Sequence, residues 1–123
     1  MRLYALSTRI ADMGILQTEY KNARQIGVLR IGESCLYVKR GFRIYYIPYN
    51  DISRCFRRVM LVPAKLCCGK GEIPVENLVI CTKEGELAQV QLPGTKAAKA
   101  LMEALKEKMP EAEFAPPNDN TGK

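Results

Sequence analysis

At 123 residues, 47% hydrophobic and 26% charged, the chain has room for one domain and a composition that excludes fibrous and disordered classes. A formal net charge of +6, from 19 Lys and Arg against 13 Asp and Glu, permits attraction to phosphate-rich surfaces without requiring it. Histidine and tryptophan are both absent, and the lack of histidine removes both the commonest acid–base side chain near neutral pH and the commonest metal ligand.

Residues 1–25 read as a helical arm or extension. Leu6, Ile10, Met13, Leu16 and Tyr20 recur at helical spacing. Gly14 weakens that helix, since an interior glycine costs about 1 kcal/mol against alanine. Packing on the body, self-association and a loosely ordered arm all remain open for this segment.

Short alternating segments follow. Ile26–Ile31 reads as a strand that turns at Gly32-Glu33-Ser34 into Cys35–Lys39, then at Arg40-Gly41 into Phe42–Tyr49. Leu36 and Val38 alternate with Tyr37 and Lys39, and Phe42, Ile44 and Tyr46 with Arg43, Tyr45 and Ile47. Such alternation places one face on a core and the other toward water. Pro48-Tyr49-Asn50-Asp51 is a turn. Ile52–Leu61 reads as a longer strand, and its two apolar sets (Ile52 and Phe56; Cys55, Val59 and Leu61) imply a bulge or strong bend.

Pro63–Asn77 reads as a loop, with one further strand around Lys65–Cys68 as an option. Leu78–Thr82 and Leu87–Leu92 form a last hairpin. Ala97, Ala98, Leu101, Met102, Leu105 and Met109 then make one stripe of a helix over Lys96–Met109, with Thr95 as N-cap and Pro110 as stop. Residues 110–123 read as a disordered tail. The fold class expected is therefore mainly β (α+β): a bent antiparallel barrel or sandwich of six to seven strands, capped by a C-terminal amphipathic helix.

The phrase Tyr46-Ile47-Pro48-Tyr49-Asn50-Asp51-Ile52 resembles the corner between the third and fourth strands of small bacterial pleckstrin-homology-like domains. Leu92-Pro93-Gly94 leading into an amphipathic helix resembles their closing element. The resemblance covers residues 26–109. It implies a bent two-sheet body with the helix plugging one end and ligands at the other. Members that bind phosphoinositides carry Lys and Arg on the first two strands and the loop between them. Here that link, Gly32-Glu33-Ser34, is short and acidic, so the resemblance carries the fold and not inositol-phosphate binding. The missing helix tryptophan favours the bacterial branch.

Five cysteines are present. Cys35, Cys55 and Cys81 lie among apolar strand neighbours and read as small buried hydrophobes of a reducing compartment. Met1–Arg24 has no apolar core followed by cleavage chemistry, and no run reaches the roughly 18–20 residues that span a bilayer, so a cytoplasmic location is expected. Cys67 and Cys68, in a Gly-rich loop beside Lys65 and Lys70, are the candidate reactive thiols, against a structural reading with one inward and one outward. Neither a phosphate loop nor zinc fits: Ala64 and Gly71 occupy required P-loop positions, and adjacent cysteines without histidine chelate poorly.

Arg54, Arg57, Arg58 and Lys65 form the densest positive patch, with Arg54 and Arg58 on one strand face and Arg57 on the other. It reads either as a surface for an acidic partner, anionic lipid or nucleic acid, or as a guarded strand edge. Tyr37, Tyr45, Tyr46 and Tyr49 beside Arg40 and Arg43 are read as cross-strand pairs rather than base-stacking platforms. The acids Asp51, Glu72, Glu76, Glu84 and Glu86 fall in or beside turns, and no nucleophile has an identifiable base. The expected function is a non-enzymatic binding or scaffolding module without cofactor, acting through protein contacts or self-association. Electrostatic binding to anionic lipid or nucleic acid is the alternative.

Overall fold

A computed structural model describes residues 2–8, 10, 12–63 and 71–116. Among these, eight strands and two α-helices make up a two-layer α+β sandwich with no closed barrel. The chain runs β1 (Leu3–Ala5), α1 (Met13–Asn22), β2 (Arg24–Ile26), β3 (Leu29–Ile31), β4 (Cys35–Arg40) and β5 (Arg43–Pro48). A 3₁₀ turn at Tyr49–Asp51 leads to β6 (Arg54–Pro63), β7 (Glu72–Thr82), β8 (Gly85–Gln91) and α2 (Thr95–Lys108). One sheet has the order β1-β5-β4-β3-β2 and the other β6-β7-β8. Every strand pairing is antiparallel except β1 with β5.

The expected strand Ile26–Ile31 is in fact a hairpin. Ile26 pairs with Leu29 across Gly27-Val28, and Gly27 takes a left-handed φ of 62° that suits glycine. Leu29, Ile31, Leu36, Val38 and Ile47 of the first sheet meet Cys55, Leu78, Ile80 and Val90 of the second in one core. Helix α2 drives Ala98, Leu101, Met102 and Leu105 into that same core, as the stripe at helical spacing requires. Thr95 does not cap it. The N-cap is Gly94, and the Thr95 hydroxyl donates instead to Glu76 Oε2 at 3.1 Å.

The other face of the five-stranded sheet is covered too. Leu3, Leu16, Cys35, Tyr37 and Tyr46 form a second core under α1. Tyr37, expected to face water, is thus fully buried, because a helix lies over the face that alternation assigned to solvent. The helical spacing of the N-terminal apolar residues holds only from Met13, where Asp12 Oδ1 accepts from the Ile15 amide at 3.1 Å. Upstream, residues 3–5 form a parallel edge strand and the Leu6 amide donates to the Tyr46 carbonyl at 2.9 Å.

The hairpin β6–β7 pairs Arg54 with Cys81 through to Pro63 with Glu72 in unbroken register. Of the bulge or strong bend expected in Ile52–Leu61, the bulge is therefore absent, and a register shift lies instead between Ile80 and Cys81 where β7 meets β8. Two apolar sets occur on β6 because Cys55 enters the main core while Phe56 packs with Val79 and Cys81 on the outer face. Much of the expected Pro63–Asn77 loop is strand, and Pro74 is tolerated where β7 has no β8 neighbour. The optional strand at Lys65–Cys68 lies outside the described residues. The start of the expected tail is docked: the Glu113 amide donates to the Ser53 carbonyl at 3.1 Å, and its carbonyl accepts from the Cys55 amide at 2.9 Å.

Candidate functional site

The patch arginines do not converge. Cross-strand register places Arg57 on the α2 side of β6 and Arg54 and Arg58 on the outer side. Arg57 donates twice to the Glu76 carboxylate, from Nε at 3.0 Å and Nη2 at 2.7 Å. Those bonds chiefly hold the buried Glu76 carboxyl below its ordinary range, against desolvation and with help from Thr95. Arg58 bridges Glu86 at 3.1 Å and Gln89 at 2.8 Å, with its guanidinium 5.5 Å from the Phe56 ring centre. Arg54 bridges Glu113 at 2.9 Å and the Ala115 carbonyl at 2.6 Å. Each of the three arginines is neutralised by a carboxylate. Lys65 lies outside the described residues.

Cys35, Cys55 and Cys81 are free and buried. Burial pushes the Cys55 thiol up to about 12, and raises those of Cys35 and Cys81 as well. All three therefore stay protonated and shielded at neutral pH. Cys67 and Cys68 fall outside the described residues. Among the described residues, no group of three His, Cys, Asp or Glu side chains is arranged to hold a metal ion. No helix among them is long and apolar enough to cross a membrane.

Glu19 on α1 is a residue that sequence reasoning missed. Its Oε1 accepts from the amides of Ser34 and Cys35, both at 3.1 Å, and from the Tyr37 hydroxyl at 3.0 Å; its Oε2 accepts from the Ser34 hydroxyl at 2.8 Å. The carboxylate thus caps the β3–β4 turn from outside. Gly32 makes room for it, since a side chain there would meet both the Glu19 carboxylate and the Tyr37 ring. A groove of about 700 Å³ runs beside this junction, between α1, the β3–β4 turn and Lys108. Its central acid is already saturated with donors, so the junction holds the fold together rather than offering free chemistry.

Four of the exposed large hydrophobics among the described residues, Val59, Met60, Leu61 and Ile73, lie together on the distal half of the β6–β7 hairpin. Val59 and Leu61 are 53% and 62% exposed on one face of this ribbon, and Met60 and Ile73 are exposed on the other. Strand β8 pairs only as far as Asn77 with Gln91, so the ribbon extends beyond its sheet. Its signal in the sequence is the double apolar set on β6, a pattern that fits a bend equally well. No family model, no curated protein and no solved structure matches the chain.

Proposed function

We propose that the chain is a non-enzymatic binding or scaffolding module of pleckstrin-homology-like design that works through protein contacts, and that its ribbon joins two copies. The observation that carries this reading is the β6–β7 ribbon, apolar on both faces and without a covering element among the described residues. Exposed apolar surface of this kind marks contact sites, and an isologous contact sets it against its own copy with no need for charge complementarity. The pleckstrin-homology likeness is supported by a four-strand meander (β2–β5), a three-strand meander (β6–β8) and a closing helix packed into their shared core. Strand β1 and helix α1 are additions to that plan.

Light scattering across a range of concentrations tests the proposal. The native chain should associate, and Leu61→Glu combined with Val59→Glu should yield a folded monomer, since neither side chain is part of the core. A native chain that stays monomeric throughout overturns self-association through the ribbon.

A further inference from the structure

Among the described residues, the strongest concentration of unpaired positive charge lies not on β6 but at the tip of the β4–β5 hairpin. Arg40 pairs with Arg43 across a two-residue turn, Gly41-Phe42, with Gly41 at a left-handed φ of 59°. The turn throws Phe42 entirely into solvent. Lys39 precedes it, and its amide donates to the Val28 carbonyl at 2.9 Å, which sets the exposed Val28 of the neighbouring β2–β3 turn alongside. Strand β1 brings Arg2 to the same end, because its neighbour Leu3 is in register with Ile44.

Arg2, Lys39, Arg40 and Arg43 have no carboxylate bonded to them among the described residues, unlike Arg54, Arg57 and Arg58. Arg2 and Arg43 lie 5.5 Å and 4.8 Å from the centre of the Tyr4 ring, which gathers two like charges on one aromatic. Tyr4 in turn packs on Tyr45 at 5.8 Å. No acidic residue occurs between Cys35 and Asn50, so nothing along the hairpin offsets this charge.

We propose that this tip docks on an anionic lipid bilayer, with Phe42 inserted at the level of the headgroups and the four cations against the lipid phosphates and carboxylates. A fully exposed phenylalanine gains by leaving water, and the surrounding cations gain from a negative surface; the two requirements meet at a membrane interface. Tyr4 and Tyr45, set back from the apex, have the amphipathic character of residues that sit at that depth. A convex knob with one apical aromatic suits a plane. Single-stranded nucleic acid is held instead in a groove lined by successive stacking rings, which this hairpin does not form.

The test uses vesicles of phosphatidylcholine alone and of phosphatidylcholine mixed with phosphatidylserine, read by co-sedimentation. Because the chain has no tryptophan, Phe42→Trp also supplies a single fluorescent reporter at the apex. Binding should require phosphatidylserine and weaken as salt rises. The indole emission of the Phe42→Trp variant should shift to the blue and be quenched by brominated acyl chains. Arg40→Glu with Arg43→Glu should lower affinity by at least tenfold, given about fivefold per cation near an anionic surface. Phe42→Ser should weaken binding while leaving the melting temperature unchanged, and Arg58→Ser should leave binding as it was. Absence of binding, binding insensitive to the tip variants, or tip-dependent binding to an oligonucleotide but not to vesicles would overturn the proposal.

Discussion

The two sheets solve the same problem in different ways. The five-stranded sheet is covered on both faces, by the main core on one side and by α1 on the other. The three-stranded sheet shares the main core, but among the described residues no helix lies on its outer face, where Arg58 lies over Phe56 and reaches to Glu86. A covering helix excludes water, so the first sheet can bury tyrosines only if their hydroxyls find partners. Tyr37 reaches Glu19 and the Leu16 carbonyl, and Tyr46 bonds the backbone of Ile10. A roof of long charged side chains covers less, and among the described residues nothing continues it over the ribbon beyond β8. One sheet uses its outer face for stability, and the other leaves apolar surface available for contact.

The largest effect expected is on what the sheets share. Leu105 is fully buried on α2, and Leu105→Ala should destabilise the whole domain by about 2–5 kcal/mol. A single denaturant transition, followed by near-ultraviolet tyrosine signals and by backbone dichroism together, checks that both sheets melt as one. Separate transitions would break the comparison by showing two independent units. Glu19→Ala should cost about 1–3 kcal/mol, since it removes the acceptor of the Ser34 and Cys35 amides and takes one acceptor from the buried Tyr37 hydroxyl, which keeps the Leu16 carbonyl. Amide exchange should then quicken at Ser34 and Cys35 more than in β6 and β7.

Smaller effects belong to the three-stranded sheet. Arg57→Ala should cost about 2 kcal/mol, because it leaves the buried Glu76 carboxylate with Thr95 as its remaining side-chain donor among the described residues. The native Glu76 carboxyl sits below its ordinary value of 4.5, so the stabilisation is complete above that value and is lost as pH falls through the depressed one. Acid melts should therefore show the native chain and Arg57→Ala converging as the carboxylate is protonated. Arg58→Ala, on an exposed pair, should cost less than about 1 kcal/mol. A larger loss there would mean that the charged roof contributes more than a solvated pair can.

Much of this fold was legible from local pattern. The stripe Ala98, Leu101, Met102 and Leu105 dictated a helix with one buried face, and period-two alternation with Gly41 and Gly85 dictated hairpins, because side-chain periodicity and glycine geometry act within a few residues. The three cysteines expected to be buried are buried for the same reason. Other features were decided only when distant segments met. Alternation shows that a strand has two faces but not whether a helix covers the second, so Tyr37 went from a solvent position to the core when α1 settled on it. Charge spacing placed Arg54, Arg57 and Arg58 close together, yet their neutralisation came from Glu113, Glu76 and Glu86, partners 59, 19 and 28 residues away. A cluster of like charges in sequence becomes a free surface only where the fold brings it no acid, and among the described residues that place is the β4–β5 tip rather than β6.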